Sequence, residues 1–351
     1  MKNHMKRTGV TLPEILTALV CVGILLLLLI PVFSRGGSRE PARRMSCLNN
    51  LRSWSLAALQ YESVHGELPM GVGIKDQGGV LQANPVSGFV ALLPFIDQDK
   101  FYDEISNPMV VSGTEYPAFE ASLADPDYPP WTHENSLLIC PSAASDSSKF
   151  GRTYYAFSVG DVARNISQQE SLRGAFGYFK ALDTTDVKDG CSNTIGIVEI
   201  GGSTIDNVTS GCLVSGEASW LDDPKQVFSA LDKWHYTSGV KLIDRGSHWA
   251  DGRAGVGLAN MILPINGPSF QVQDSPTADG VYSVGSKHNG GAHVANLDGS
   301  THFISEDIDT GDGAATLTVE QMAAGVPSPH GVWGALGTIG SGEDTQDWVR
   351  Y

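Results

Sequence analysis

Apolar residues run from Ile15 to Phe33 (ILTALVCVGILLLLLIPVF) with no charge and with Thr17 as the sole hydroxyl. At about 1.5 Å per helical residue the run reaches roughly 28 Å, close to the hydrocarbon thickness of a bilayer. It predicts a membrane-spanning helix over about 12–33. Beyond Gly36-Gly37 a helical period resumes, with Leu48, Leu51, Trp54, Ala58 and Tyr61 at three- and four-residue steps. That stripe stops at His65-Gly66, with Pro69 just beyond. The pattern predicts an outer helix to about residue 65 with one face packed on a globular domain, Trp54 and Tyr61 lying in its core. From residue 67 the helical period is weak and turn residues are frequent. Apolar stretches at 136–140, 153–159, 194–200, 256–263 and 281–284 read as short strands between Gly, Pro and Asp turns. Residues 89–105 read as a broken helix and 106–135 as an insertion loop. The expected class is α+β: a long N-terminal membrane-spanning helix packed on a mostly antiparallel β domain.

The sharpest local pattern is AHVANLDGSTHFI, residues 292–304. An Asp-Gly pair between two alternating runs marks a two-residue hairpin turn, because both turn positions need positive φ. Such a turn sets Leu297 against Ser300, Ala295 against His302 and His293 against Ile304. His293 and His302 then share a face as diagonal neighbours.

Composition narrows the function. The chain has 351 residues, 41% hydrophobic, with 23 Lys and Arg against 39 Asp and Glu and a net charge of −16. Seven of the basic residues precede Met45, so the remainder carries 16 basic and 37 acidic side chains. A body this acidic repels phosphate backbones, and nucleic acid is excluded as its main partner.

The N-terminus separates two kinds of leader. A secretory signal has an apolar region of about 7–15 residues and a small-residue cleavage site. Here the run is longer and ends in Pro31-Val32-Phe33-Ser34-Arg35. Basic residues lie on both sides of it, so orientation rests on the junction itself. There a basic leader ends in Gly9, followed by Val10-Thr11-Leu12-Pro13-Glu14. This junction resembles the class III signal of type IV prepilins and type II secretion pseudopilins. The resemblance implies cleavage after Gly9 by a prepilin peptidase, an N-terminus at Val10 (where that family usually has Phe), and a cytoplasmic N-terminus. It also implies that Glu14 meets the Val10 amine of a neighbouring subunit during assembly. Thr11 and Glu14 also fit a helix capping box, with Pro13 tolerated in the first turn.

A narrower resemblance spans the body. His288 is followed after nine residues by Asp298-Gly299, an H-x9-DG pattern. With it come Arg43-Arg44-Met45-Ser46-Cys47-Leu48-Asn49-Asn50-Leu51, the run 88–103, Cys140-Pro141-Ser142, Asp189-Gly190, Trp249-Ala250-Asp251-Gly252 and Trp333-Gly334-Ala335-Leu336-Gly337-Thr338. In this order the segments are similar to a large bacterial family of prepilin-like proteins whose body is a domain of unknown function. Asn289 and Cys191 depart from its usual Pro and Thr. The resemblance places Cys47, Cys140, Cys191 and Cys212 outside the cytoplasm, where disulfides persist. Four thiols allow three connectivities. The matching segments favour Cys47 with Cys140, and the departure at Cys191 favours its pairing with Cys212; four buried free thiols are the alternative.

Other chemistry is sparse. His288, His293 and His302 invite a metal reading, set against the plainer one in which His288 anchors a turn and Asp298 bonds within its own. Asp307, Asp309 and Asp312 resemble an acidic calcium loop, but Gly311 breaks the EF-hand order. No C-x-x-C, G-x-S-x-G, dinucleotide fingerprint or P-loop occurs, and no enzymatic activity and no cofactor other than calcium are expected.

The expected organisation is a leader over 1–9, a pilin-like helix over 10–65 and an extracytoplasmic β-rich domain over 66–351. The expected protein is a single-pass inner-membrane subunit that assembles with other pilin-like subunits into a pilus- or type II secretion-like fibre. The alternative is a non-polymerising, membrane-anchored binding or enzymatic domain.

Overall fold

The computed structural model describes residues 11–33, 39–76, 79–81, 84–143, 148–168, 173–202, 208–237, 241–273, 275, 277–313 and 315–342. Gly9 and Val10 lie outside them. The chain divides into two units, 1–44 and 45–351.

The first unit holds α1 (Leu12–Phe33) and the opening turn of α2 (Arg39–His65). Thr11 donates both its N–H (2.7 Å) and its hydroxyl (2.8 Å) to the Glu14 carboxylate. This is the carboxylate half of a capping box, and the Thr11 N–H, then its hydroxyl, hold the Glu14 pKa below its ordinary value. Among the described residues, no helix is long and apolar enough to cross a membrane. This overturns the membrane span expected over 12–33, and with it the single-pass inner-membrane location and the long membrane helix of the expected fold.

In the second unit α2 buries Cys47, Leu51, Trp54, Ala58 and Tyr61. The buried line starts at Cys47; Leu48 beside it is half-buried. Gly66, at φ +77°, ends the helix by donating to the Glu62 carbonyl. The hairpin of β1 (Ile74–Asp76) and β2 (Gly79–Leu81) follows. The broken helix is α3 (Gly88–Leu92), a 3-10 turn over Leu93–Ile96 and α4 (Asp99–Ser106). The expected insertion loop holds the hairpin of β3 (Met109–Val111) and β4 (Thr114–Tyr116) and the short α5 (Pro129–Thr132). The stretch 136–140 is a 3-10 turn over Ser136–Leu138, not a strand. The Asn135 side chain caps it by accepting from the Leu137 N–H.

Two larger sheets form the body. Their strands are β5 (Tyr155–Ser158), β6 (Ile195–Glu199), β7 (Cys212–Ser215), β10 (Leu242–Asp244), β11 (Leu258–Ala259), β12 (Phe270–Gln271), β13 (Gly280–Val281), β14 (Gly291–Asn296) and β15 (Thr301–Ser305). A further hairpin joins β8 (Leu231–Asp232) to β9 (His235–Tyr236), and α6 (Ala254–Gly257), α7 (Val319–Ala323) and α8 (Gly331–Gly337) complete the elements used below. One sheet has the order β11-β5-β6-β14-β15 and the other β10-β7-β12-β13. The pairs β11–β5 and β12–β7 are parallel and the remaining pairs antiparallel. The fold is therefore mixed α/β with several sheets, in place of the expected helix on an antiparallel domain.

Strands β6 and β14 are buried at every position, which explains their near-continuous apolar sequences. Trp54 from α2 meets Phe89 edge to face, and Phe89 meets Phe157 and Phe157 meets Phe176 with tilted rings, at 4.8, 4.4 and 4.7 Å between centroids. This aromatic file joins α2, α3 and the central sheet; each pair adds about 0.5–1.5 kcal/mol beyond area burial.

The hairpin turn differs from its sequence reading by one residue. Observed pairs are Ala295 with Thr301, Val294 with His302 and His293 with Phe303. Asn296 and Ser300 close a three-residue loop whose last residue, Gly299, takes φ +87°, a type I turn followed by a left-handed residue. A one-residue slip moves side chains to the other face. His293 therefore faces Phe303 inside the body, whereas half-buried His302 sits on the opposite face. A Cβ at Gly299 would stand 3.2 Å from both Leu56 and Leu59, so this tip rests on α2.

A buried histidine outside this sheet sets a pH response. His248 stacks on Phe150 at 4.4 Å, and its Nδ1 accepts from the Ala250 N–H at 3.1 Å. Burial lowers its pKa from 6.5 to about 4. The unfolded chain takes up a proton that the fold refuses, so stability drops as the pH falls from 6.5 to 4, by about 3 kcal/mol over the whole range. Urea unfolding across that range measures it. His248→Asn, which keeps an acceptor for Ala250, should flatten the pH dependence; an unchanged slope would exclude His248 as its source.

Candidate functional site

Strand β6 (IGIVE) closes on Glu199, and the strand's full burial takes that carboxylate out of water. A buried carboxylate needs donors, and β14 supplies them. The His293 N–H donates to Glu199 Oε2 at 2.7 Å, and His293 Nδ1 lies 3.0 and 3.1 Å from the two carboxylate oxygens. His288 Nε2 approaches Glu199 Oε1 at 3.5 Å. Burial by itself raises the Glu199 pKa. The hydrogen bonds of His288 and His293, with the charge and N–H of His293, outweigh it, and the net shift is downward.

His288 is aimed inward by its turn. The Ser286 hydroxyl donates to the Gly291 carbonyl at 2.7 Å and accepts from the His288 N–H at 3.0 Å, and Gly290 takes φ +83° to close the loop. The imidazole thus reaches the cluster. Its Nε2 is also 3.6 Å from Cys140 Sγ. Cys140 is joined to Cys47 of α2 by a disulfide, 93 residues away in sequence. The Tyr155 hydroxyl donates to the Cys47 carbonyl at 3.1 Å, and Tyr154 packs on the disulfide. Cys47, Cys140, Glu199 and His288 each offer a donor atom within 4.8 Å of the others, and all four residues are buried. Above them opens a cavity of about 510 Å³, with His288 in its wall and Thr209, Trp234, Asn266, Lys287 and Glu306 around it.

Asp298 caps its own turn, where Oδ1 accepts from the Ser300 N–H at 2.9 Å and the Ser300 hydroxyl at 2.6 Å, and it also bonds to the Ser192 side chain and, through its N–H, to the Cys191 carbonyl. The two ends of the H-x9-DG pattern therefore do different work: His288 enters the buried cluster, and Asp298-Gly299 shapes the tip against α2. His302 does not join the other two histidines, because its strand position faces away.

Cys191 and Cys212 are free thiols. The pairing expected between them is not formed: Cys191 borders the core beneath α2, whereas Cys212 opens β7 in another apolar cluster. Burial pushes the Cys212 thiol up to about 12, and it bonds to the Val208 carbonyl. Cys21 is exposed on α1.

Asp309 and Asp312 of the acidic loop have separate partners. Asp309 accepts from the Gly311 N–H at 2.9 Å and packs against Gly331 at the start of α8. Asp312 lies 3.6 Å from Lys225 Nζ, and Asp307 is exposed. Among the described residues, the group spaced to share a metal ion is the cysteine, histidine and glutamate cluster, and it contains none of these three. Sequence reasoning missed Glu199. The signal was an acid ending an otherwise apolar strand.

A family model described as a protein of unknown function (DUF1559) matches residues 37–311. No curated protein and no solved structure matches the chain.

Proposed function

This chain belongs to the DUF1559 family of proteins of unknown function, and from that premise we propose that it is a prepilin-like subunit whose α1 packs against α1 of other copies. The observation that carries this reading is the surface of α1. Leu12, Ile15, Leu16, Leu19, Val20, Val22, Ile24 and Leu25 are each 49–77% exposed, on every side of the helix. An apolar helix of this kind is stable in water only when covered. Its N-terminal chemistry names the cover. Glu14 is a carboxylate on an otherwise apolar helix, one turn from the Gly9-Val10 junction where the leader motif ends. After cleavage there by a prepilin-type peptidase, Val10 carries a free α-amino group. Pairing that amine with Glu14 of the next copy sets the axial register, and the apolar faces supply the affinity. The acidic body carries the cavity beside His288, which can take a further partner.

Chemical cross-linking in the source cells tests the assembly. The wild-type chain should give a ladder of multimers. Glu14→Ala should reduce that ladder at least tenfold while the chain is still cut after Gly9. The alternative is a binding domain that never polymerises, favoured by the cavity under Trp234; it predicts that Glu14→Ala changes nothing.

A further inference from the structure

We propose that Cys47, Cys140, His288 and Glu199 bind one zinc-class divalent cation when the two cysteines are thiols, so that the disulfide and the metal are alternative states of one buried site. Tetrahedral zinc, with bonds of about 2.3 Å to sulfur and 2.0–2.1 Å to nitrogen or oxygen, sets its donors about 3.3–3.8 Å apart. His288 Nε2 stands at such distances from two neighbours, 3.6 Å from Cys140 Sγ and 3.5 Å from Glu199 Oε1. Both distances suit the edges of a tetrahedron. The Cα atoms of Cys47 and Cys140 are 5.4 Å apart. Rotation of the reduced side chains about χ1 then opens the sulfurs to the roughly 3.8 Å that two thiolates on one zinc require.

The surroundings fit the same ion. His293 grips the Glu199 carboxylate through its N–H and Nδ1, as an outer-shell partner orients a ligand. Two thiolates, one carboxylate and a dication leave one negative charge, which the His293 N–H, donating to Glu199 at 2.7 Å, helps to hold. Two sulfurs select a borderline or soft metal over calcium, which takes six to eight oxygens.

The states interconvert by balanced steps. Metal binding deprotonates both thiols and releases two protons to water. Disulfide formation passes two electrons and two protons to a disulfide oxidant, which leaves as two thiols. A newly made chain has both thiols reduced, so the two routes compete.

The test uses the full chain purified under reductant, with all five cysteines titrating as thiols, and Co²⁺ as the probe. One Co²⁺ per chain should bind, with the visible bands of tetrahedral cobalt and a thiolate-to-cobalt charge-transfer band, and one equivalent of Zn²⁺ should displace it. Zinc should protect Cys47 and Cys140, but not Cys21, from alkylation when peptides are mapped by mass. The oxidised chain should bind none. His293→Gln should weaken binding about 10–100-fold, and His288→Ala, which leaves every thiol in place, should weaken it further. No uptake by the reduced chain, equal uptake by the oxidised chain, or alkylation of Cys47 and Cys140 unaffected by zinc would each overturn the site. The alkylation map does so without any variant having to fold.

Discussion

Glu199→Ala is expected to destabilise the body by about 3–5 kcal/mol, the cost of breaking a buried ionic cluster by removing one partner. The carboxylate is fully enclosed and receives the His293 N–H and the imidazoles of His293 and His288. Alanine leaves these groups facing a methyl group in place of the oxygens. Glu199→Gln keeps an acceptor but not the charge, so its loss should be smaller, about 1.5–3 kcal/mol. The pH dependence follows from the direction of the shift. Because the folded carboxyl titrates below its ordinary 4.5, its contribution is present in full above that value and disappears as the pH falls through the folded pKa. Urea unfolding followed by tryptophan fluorescence at pH 7 reads the difference. A Glu199→Ala midpoint equal to wild type would mean that the cluster is only surface decoration.

Removing the disulfide should have a comparable effect. Cys47 and Cys140 are 93 residues apart, and closing a loop of that length restricts the unfolded chain by up to about 4–5 kcal/mol in the loop-entropy model. Around the bond, Trp54 Nε1 donates to the Leu137 carbonyl at 2.9 Å and Asn50 Nδ2 to the Ile139 carbonyl at 3.1 Å. These hydrogen bonds dock the segment on α2 without the sulfurs, so the double variant Cys47→Ala/Cys140→Ala should fold but lose about 2–5 kcal/mol. In chelator-containing buffer, reductant should bring wild type down toward the variant and leave the variant unchanged. A loss under about 1 kcal/mol, below the usual range for a native disulfide, would show that the docked segment, rather than the bond, holds α2 in place.

What the sequence disclosed followed the range of the forces involved. The stripe on α2 was legible because helical periodicity is local, although Cys47 rather than Leu48 begins the buried line. The Asp298-Gly299 turn was legible as a turn but not in its register. Asp-Gly serves both a two-residue loop and a three-residue loop ending in a left-handed glycine, and the packing of Gly299 on Leu56 and Leu59 lies outside the hairpin. The stretch 136–140 is apolar enough for a strand, yet Asn135 caps a 3-10 turn there. His288 stood out by its spacing from Asp298-Gly299, but its partners did not. Cys140 is 148 residues before it in sequence, and Glu199 and His293 are separated by 94. No local pattern announces such pairings; strand order in the sheet creates them. The parallel pairs β11–β5 and β12–β7 were invisible for the same reason.

The most direct test of the assembly reading is the first residue of the chain as it accumulates in its source cells, read by N-terminal sequencing and intact mass. A chain beginning at Val10, methylated or not, is the predicted result: it places a free amine within reach of Glu14 of a neighbouring copy. A chain still carrying residues 1–9 would contradict that reading, since without cleavage after Gly9 there is no Val10 amine to set the register.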